Sequence, residues 1–278
     1  MPQQDEYFLG YRQTEQQRLQ QQVELLARDS TWLFDQIGLS VGAHVVEFGC
    51  GPQGCLGLLA ARVGQAGRVI GIERSPDAVA LARKFVADSQ LANVEILLGD
   101  ARAPGLMPAT FDLVTARLVL VNVPRPEEIV AAAVALVRPG GWVAFHEVDW
   151  AACLCDPPSP AWDDLIDLMH KYAALNGIDL LVGRKLPGLL RAAGLIDVQV
   201  NPLIHAYPLG HPRRNVMLDF AHNLSGRFLA QKLITEQALA DLKHALARHL
   251  NQQETLVLIG PYIQAWGRKL PVQENERD

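Results

Sequence analysis

Basic residues never gather into a dense run in this sequence, and they are outnumbered. Lys and Arg total 25 against 30 Asp and Glu, a formal net charge of −5. A chain without a positive stripe offers no electrostatic footprint for a phosphate backbone, which argues against nucleic acid as a partner. Long hydrophobic runs are also missing. No apolar stretch approaches the roughly 20 residues needed to cross a bilayer. The opening MPQQDEYFLGYRQTEQQ has neither the basic start nor the apolar run of a secretory signal. The expectation is a cytoplasmic protein with no membrane partner. Cysteine is scarce, and Cys50, Cys55, Cys153 and Cys155 suit a reducing compartment. No second cysteine pair or histidine cluster matches Cys153-x-Cys155 in spacing, so no metal is expected. Internal repeats and low-complexity tracts are absent as well.

What is present is a globular composition: 49% hydrophobic and 20% charged residues over 278 positions. That length suits one large α/β domain, or one with an appended cap. Residues 14–37 read as a long helix, with Thr14 and Gln17 in capping-box spacing and Leu19, Val23, Leu26, Leu33 and Ile37 as its stripe. From residue 44 strands and helices alternate. HVVEF, RVIGIE (68–73), VEILLG (94–99), FDLVTA (111–116) and WVAFHEV read as five strands. Between them fall helical stripes: Leu56, Leu59, Ala60 and Val63; Val79, Ala82 and Val86 after Ser75-Pro76-Asp77; and Ile129, Ala132, Ala133 and Leu136. Such alternation predicts a parallel, doubly wound sheet. Past PPSPAW the rhythm changes to helices near 161–174, 184–193 and 212–249, with strands at 198–204 and 255–267.

VVEFGCGPQG places Gly49, Gly51 and Gly54 directly after the first strand. A Gly-x-Gly-x-x-Gly turn there lets backbone approach either a dinucleotide pyrophosphate or S-adenosylmethionine. Glu73 ends the second strand, 22 positions after Gly51, where a carboxylate can accept both ribose hydroxyls. Such charged hydrogen bonds contribute roughly 1.5 to 3 kcal/mol each. The same charge repels a 2′-phosphate and disfavours NADP. Glu47 on the strand is suited to a positively charged ligand, directly or through water. Asp100, ending the third strand, is placed to accept an adenine amino group. No tyrosine is followed four residues later by lysine, a pair that a short-chain dehydrogenase needs. S-adenosylmethionine is therefore favoured over NAD.

The ordered series VVEFGCGPQG, VIGIERSP, LLGDA, FDLVTARLVLVNVPRP and LVRPGGWVAFHEVDW resembles class I S-adenosylmethionine-dependent methyltransferases over about residues 40–150. Within them it is similar to the ubiquinone/menaquinone-biosynthesis type and related small-molecule enzymes. The resemblance implies a Rossmann-like seven-stranded sheet, mostly parallel with an antiparallel last strand. It also implies an N-terminal helical lid and a helical insertion between the last two strands. The expected organisation is lid 1–40, cofactor core 41–155, and substrate-binding part 156–278. By the resemblance, Glu47, Gly49 and Gly51 contact the methionine part and Glu73 the ribose. Asp100 and Ala101 flank the adenine, and Arg117 and Leu118 line the wall beside the sulfonium. Cys50 and Arg74 complete this set. Cys50 and Pro52-Gln53 depart from the small residues commoner in the family's loop, which bears on the loop's detailed contacts.

The activity implied is methyl transfer from S-adenosylmethionine to oxygen or nitrogen of a small organic molecule, leaving S-adenosylhomocysteine. Tyr7 and Tyr11 are candidates for cation–π contact with the sulfonium, or they simply pack the lid. His146, near the end of the fifth strand, is a candidate base. Glu147 and Asp149 alternate with it, so one of the two faces looks into the site; Glu147 is the candidate carboxylate. Asn122, His205, Tyr207, His211 and His222 are candidates for substrate contact. Arg184 and Lys185 read as a solvated or lid-anchoring pair. Rival readings are a cofactor-binding homologue without turnover, aminocarboxypropyl transfer from the same cofactor, and, as an outsider, an NAD enzyme. A homodimer through the helical insertion is compatible with the sequence.

Overall fold

A run of buried apolar residues bounded by turn formers makes the first strand, β1 (His44–Phe48), in which every residue but His44 is buried. The computed structural model describes residue 19 and residues 22–271. β1 pairs in parallel with β2 (Arg68–Glu73) on one side and β4 (Phe111–Arg117) on the other. β3 (Val94–Leu98) extends the sheet beyond β2, and β5 (Val137–Val148) lies beside β4. The order β3-β2-β1-β4-β5 reverses direction between β1 and β4. That reversal opens a crevice at the carboxyl ends of the strands.

Three helices make the crossovers: α2 (Leu56–Val63), α3 (Pro76–Asp88) and α4 (Pro126–Leu136). Ser75 caps α3, its hydroxyl accepting the Ala78 N–H at 3.3 Å. The alternation of each strand sends side chains to two layers. Val45, Val69, Leu113 and Ala144 join the layer of α2 and of α1 (Ala27–Ile37), which buries Leu33, Phe34 and Ile37. Val46, Ile70, Val114 and Phe145 join the opposite layer, with α4 and α6 (Val182–Ala192). The N-terminal helix predicted from Thr14 is seen from residue 22 and turns at Leu26 into α1; its capping-box residues lie outside the described residues.

β8 (Leu256–Arg268) runs antiparallel between β5 and β7 (Ile196–Ala206), as expected for the last strand. Among the described residues the sheet has eight strands rather than the seven expected, because β6 (Leu154–Asp156) adds to it. β8 extends past the end of β5, whose Val148 pairs with Tyr262, and this leaves backbone groups at 256–258 for β6 to take. Three residues with no apolar alternation gave no period to read. β5 also starts earlier than the predicted strand WVAFHEV, at Val137, which is already extended with ψ 134°. Between β7 and β8 lie the expected helices. The 212–249 stretch divides into a short turn (Pro212–Asn215), α7 (Val216–Ala230) and α8 (Glu236–Leu250), the last capped by Thr235. These pack with α5 (Pro160–Leu175) and share the core of the sheet. Among the described residues, no helix is long and apolar enough to cross a membrane.

Candidate functional site

The three glycines after β1 all adopt positive φ, 59° at Gly49, 56° at Gly51 and 50° at Gly54, a region that glycine enters without penalty. Their surroundings differ. A Cβ on Gly49 would come within 2.6 Å of Val119 Cγ2, and one on Gly54 within 2.6 Å of Glu47 Oε1. A Cβ on Gly51 would meet only Leu19, at 4.0 Å, so this backbone faces open space. The unusual Cys50 is accommodated by Gly71, where an added Cβ would lie 2.9 Å from the sulfur. Burial pushes the Cys50 thiol pKa well up.

Buried glutamates hold the walls of this crevice. Glu73 Oε2 accepts the Gly51 N–H at 3.0 Å and Oε1 the Ser75 N–H at 2.8 Å. Burial raises its pKa, against the pull of those N–H groups. Both Glu47 oxygens accept the Cys55 N–H, at 2.8 and 3.0 Å, which anchors the loop to the start of α2. Burial lifts Glu47 to about 7, with Arg117 opposing the rise. Arg117 itself donates to Ser30 Oγ at 3.0 Å and Gly54 O at 3.4 Å, tying α1 to the glycine loop. Asp100 accepts the Arg102 N–H at 2.9 Å.

One cavity opens where these groups meet. Glu47, Gly49, Cys50, Gly51 and Glu73 line it, as do Arg74, Asp100, Ala101, Arg117 and Leu118. Every expected cofactor contact within the described residues is thus brought to one space; Tyr7 and Tyr11 lie outside those residues. The cavity continues to a second wall made by Val148, Trp150, Met169, Arg213, Phe220 and Tyr262, with Leu19, Gln22 and Val23 beside them.

The candidates for catalysis and substrate contact fare differently. Glu147 does not line the cavity. Its carboxylate is fully buried and accepts the N–H groups of Val119, Leu120 and Val121 at 2.9, 2.8 and 3.2 Å. Burial raises it to about 7 despite those bonds. Its part is to hold the loop after β4, which does line the cavity. His146 is also off the cavity wall. Both its ring nitrogens are buried without a hydrogen bond among the described residues, and the ring lies edge-on to Tyr262 with centroids 5.6 Å apart. Burial lowers its pKa to about 3, so it stays neutral and is a poor base near pH 7. Asn122 lines the cavity and donates to Leu118 O at 2.7 Å. His205 instead bonds Asp29 at 2.8 Å, and Tyr207 stacks between His205 and His211; none of these three lines the cavity. His222 is exposed on α7. Arg184 pairs with buried Asp149, and Lys185 with Asp179 at 2.5 Å, so both anchor α6. The second wall was missed because its residues come from segments with no shared motif.

An acid-lined glycine crevice at a topological switch point is the ligand-site geometry of a Rossmann-type α/β domain. Residues 46–145 match the methyltransferase domain family. A ubiquinone biosynthesis O-methyltransferase of Thiobacillus denitrificans is 38% identical over 110 residues, 39% of this chain and 45% of the relative. An aklanonic acid methyltransferase of Streptomyces sp. (strain C5) is 33% identical over 104 residues, 37% and 47% of the two chains. The chain spans about half the length of the curated relatives it matches. A solved structure of a putative methyltransferase from Bacillus halodurans superposes with a TM-score of 0.59 at 17% identity, covering 88% of this chain and all of that one. That likeness concerns the fold. Residues 46–145, the stretch that carries the glycine loop and the strand-end acids, are therefore similar to a methyltransferase domain.

Proposed function

We propose that the protein transfers a methyl group from S-adenosylmethionine to an oxygen or nitrogen of a small organic molecule. One observation carries this reading: the acid-lined glycine crevice and an apolar, aromatic-lined wall share a single continuous cavity. The residues fit the cofactor. Gly51 presents bare backbone to open space, and Glu73 keeps acceptor capacity beyond its two N–H bonds. In this reading Glu73 holds the ribose hydroxyls, Asp100 and Ala101 flank the adenine, and Gly49 and Gly51 receive the methionine part. When bound, the cofactor supplies an electrophilic methyl group on a cationic sulfur.

The protein's contribution is alignment. Holding donor and acceptor in a near-attack pose supplies on the order of 7 to 11 kcal/mol. Glu147 acts as a positioning residue by fixing the 119–121 backbone, and Trp150, Phe220 and Met169 hold an apolar acceptor while keeping water out. His146, neutral and off the cavity, is assigned no proton transfer. The unpaired Cys50, Cys55, Cys153 and Cys155 suit a reducing, cytoplasmic setting.

Calorimetry of the full chain with S-adenosylhomocysteine, followed by labelled-methyl turnover on a panel of phenols and amines, tests the proposal. Absence of nucleotide binding by folded protein would sink it, and methylthioadenosine as product would replace it with the aminocarboxypropyl reading. Light scattering with and without the nucleotide tests a dimer through the helical insertion.

A further inference from the structure

We infer that the acceptor carries a carboxylate, and that Arg213 is the residue that selects it. This inference rests on the methyltransferase reading. Arg213 sits in the turn before α7, is only 5% exposed and lines the cavity. Its guanidinium has two hydrogen bonds, both to neutral groups that line the same cavity: Gln22 Oε1 at 3.1 Å and the Tyr262 hydroxyl at 3.2 Å. Its Nε is buried with no partner among the described residues. Of the five N–H donors on the fork, three have no close hydrogen-bond partner among the described residues. Tyr207, which carries no formal charge, also faces it: its ring lies 5.9 Å from the guanidinium carbon and its hydroxyl comes within the guanidinium's reach.

The neighbouring Arg214 shows what a structural arginine looks like here. It is equally buried and spends its donors on the carbonyls of Tyr207, Leu250, Gln252 and Thr255. Among the described residues no carboxylate lies within ion-pair distance of Arg213. The acids that line the cavity are all engaged elsewhere: Glu47 with Cys55, Glu73 with Gly51 and Ser75, and Asp100 with Arg102. A buried cation without a counter-charge is costly and uncommon. A carboxylate from the ligand would supply both the charge and the planar pair of acceptors that a guanidinium fork matches.

The rest of the wall sets the remainder of the acceptor. Arg213 is the only cation among its described residues, which matches a singly charged group. Val148, Trp150, Met169 and Phe220 then demand an apolar or aromatic body. An apolar carboxylic acid satisfies both requirements.

The test titrates 1-naphthoate and 4-hydroxybenzoate, each beside its carboxamide, onto the full chain saturated with S-adenosylhomocysteine. At least one acid should bind roughly tenfold tighter than its amide, with a preference that shrinks as salt rises. Arg213→Met should remove that preference, leaving amide and S-adenosylhomocysteine affinities within about threefold, while Arg213→Lys should keep part of it. Equal binding of acid and amide by the wild type, or no binding of either acid at millimolar concentration, overturns the inference without needing any variant. Equal loss of nucleotide affinity in Arg213→Met also overturns it, by assigning the arginine to the cofactor. Failure of the wild type to bind S-adenosylhomocysteine at all would instead remove the methyltransferase reading beneath it.

Discussion

Along the strands β1 to β4 the cavity wall is backbone, held in place by buried glutamates, whereas from β5 onward it is made of side chains converging from distant segments. On the first wall Glu47, Glu73 and Glu147 each bond backbone N–H groups of the loops that follow β1, β2 and β4. Shape there depends on a few hydrogen bonds and on glycine φ angles. On the second wall Trp150 meets Phe220 edge-on with centroids 5.1 Å apart, and Gln22 and Tyr262 steady Arg213. Shape there depends on packing. The difference teaches that a cofactor seat can be fixed locally, while an acceptor seat can change whenever one packed segment changes.

Substitutions should separate the two walls. The largest effect on stability is expected for Phe220→Ala, about 3–5 kcal/mol in chemical denaturation, with S-adenosylhomocysteine affinity within about threefold of wild type. A loss of nucleotide binding in this variant, if it remains folded, would show that the walls are coupled. Glu147→Ala leaves three N–H groups without their acceptor and should lower stability by about 3 kcal/mol; it should also slow turnover with little change in nucleotide affinity. Glu73→Ala should weaken S-adenosylhomocysteine binding by roughly 100-fold, measured by calorimetry. An unchanged affinity would remove the ribose from Glu73.

The last prediction concerns pH. Glu47 and Glu147 are raised to about 7 in the fold, from the ordinary 4.5. Their stabilising contribution is therefore complete below about pH 4.5 and is lost as pH rises toward 7. Thermal denaturation between these limits should show that loss, and Glu47→Gln should make it shallower by removing one titrating group. A slope unchanged in Glu47→Gln would mean that its carboxyl is no harder to ionise in the fold than outside it.

Individual residues show how much was legible. Ser75-Pro76-Asp77 marks a helix start in the sequence, and Ser75 does cap α3, because capping involves only neighbours in the chain. Glu47 was read as acting on a cationic ligand. It does line the cavity, but its first partner is the Cys55 N–H, which only the folded loop brings beneath it. His146 and Glu147 were read as alternating across a strand, which they do; their burial away from the cavity follows from what packs on each face, and a strand's sequence does not state that. Arg213 gave no signal, since nothing local distinguishes it from Arg214.

By itself the sequence determined the strand–helix alternation, the glycine turn and the acids at the strand ends, because hydrogen-bonding periodicity, backbone conformational freedom and short-range spacing act within a few residues. Only the tertiary structure decided which polar groups face the cavity and which hold its walls. That choice depends on contacts between positions as far apart as Gln22 and Arg213, and such contacts exist only once the sheet and its insertion have packed.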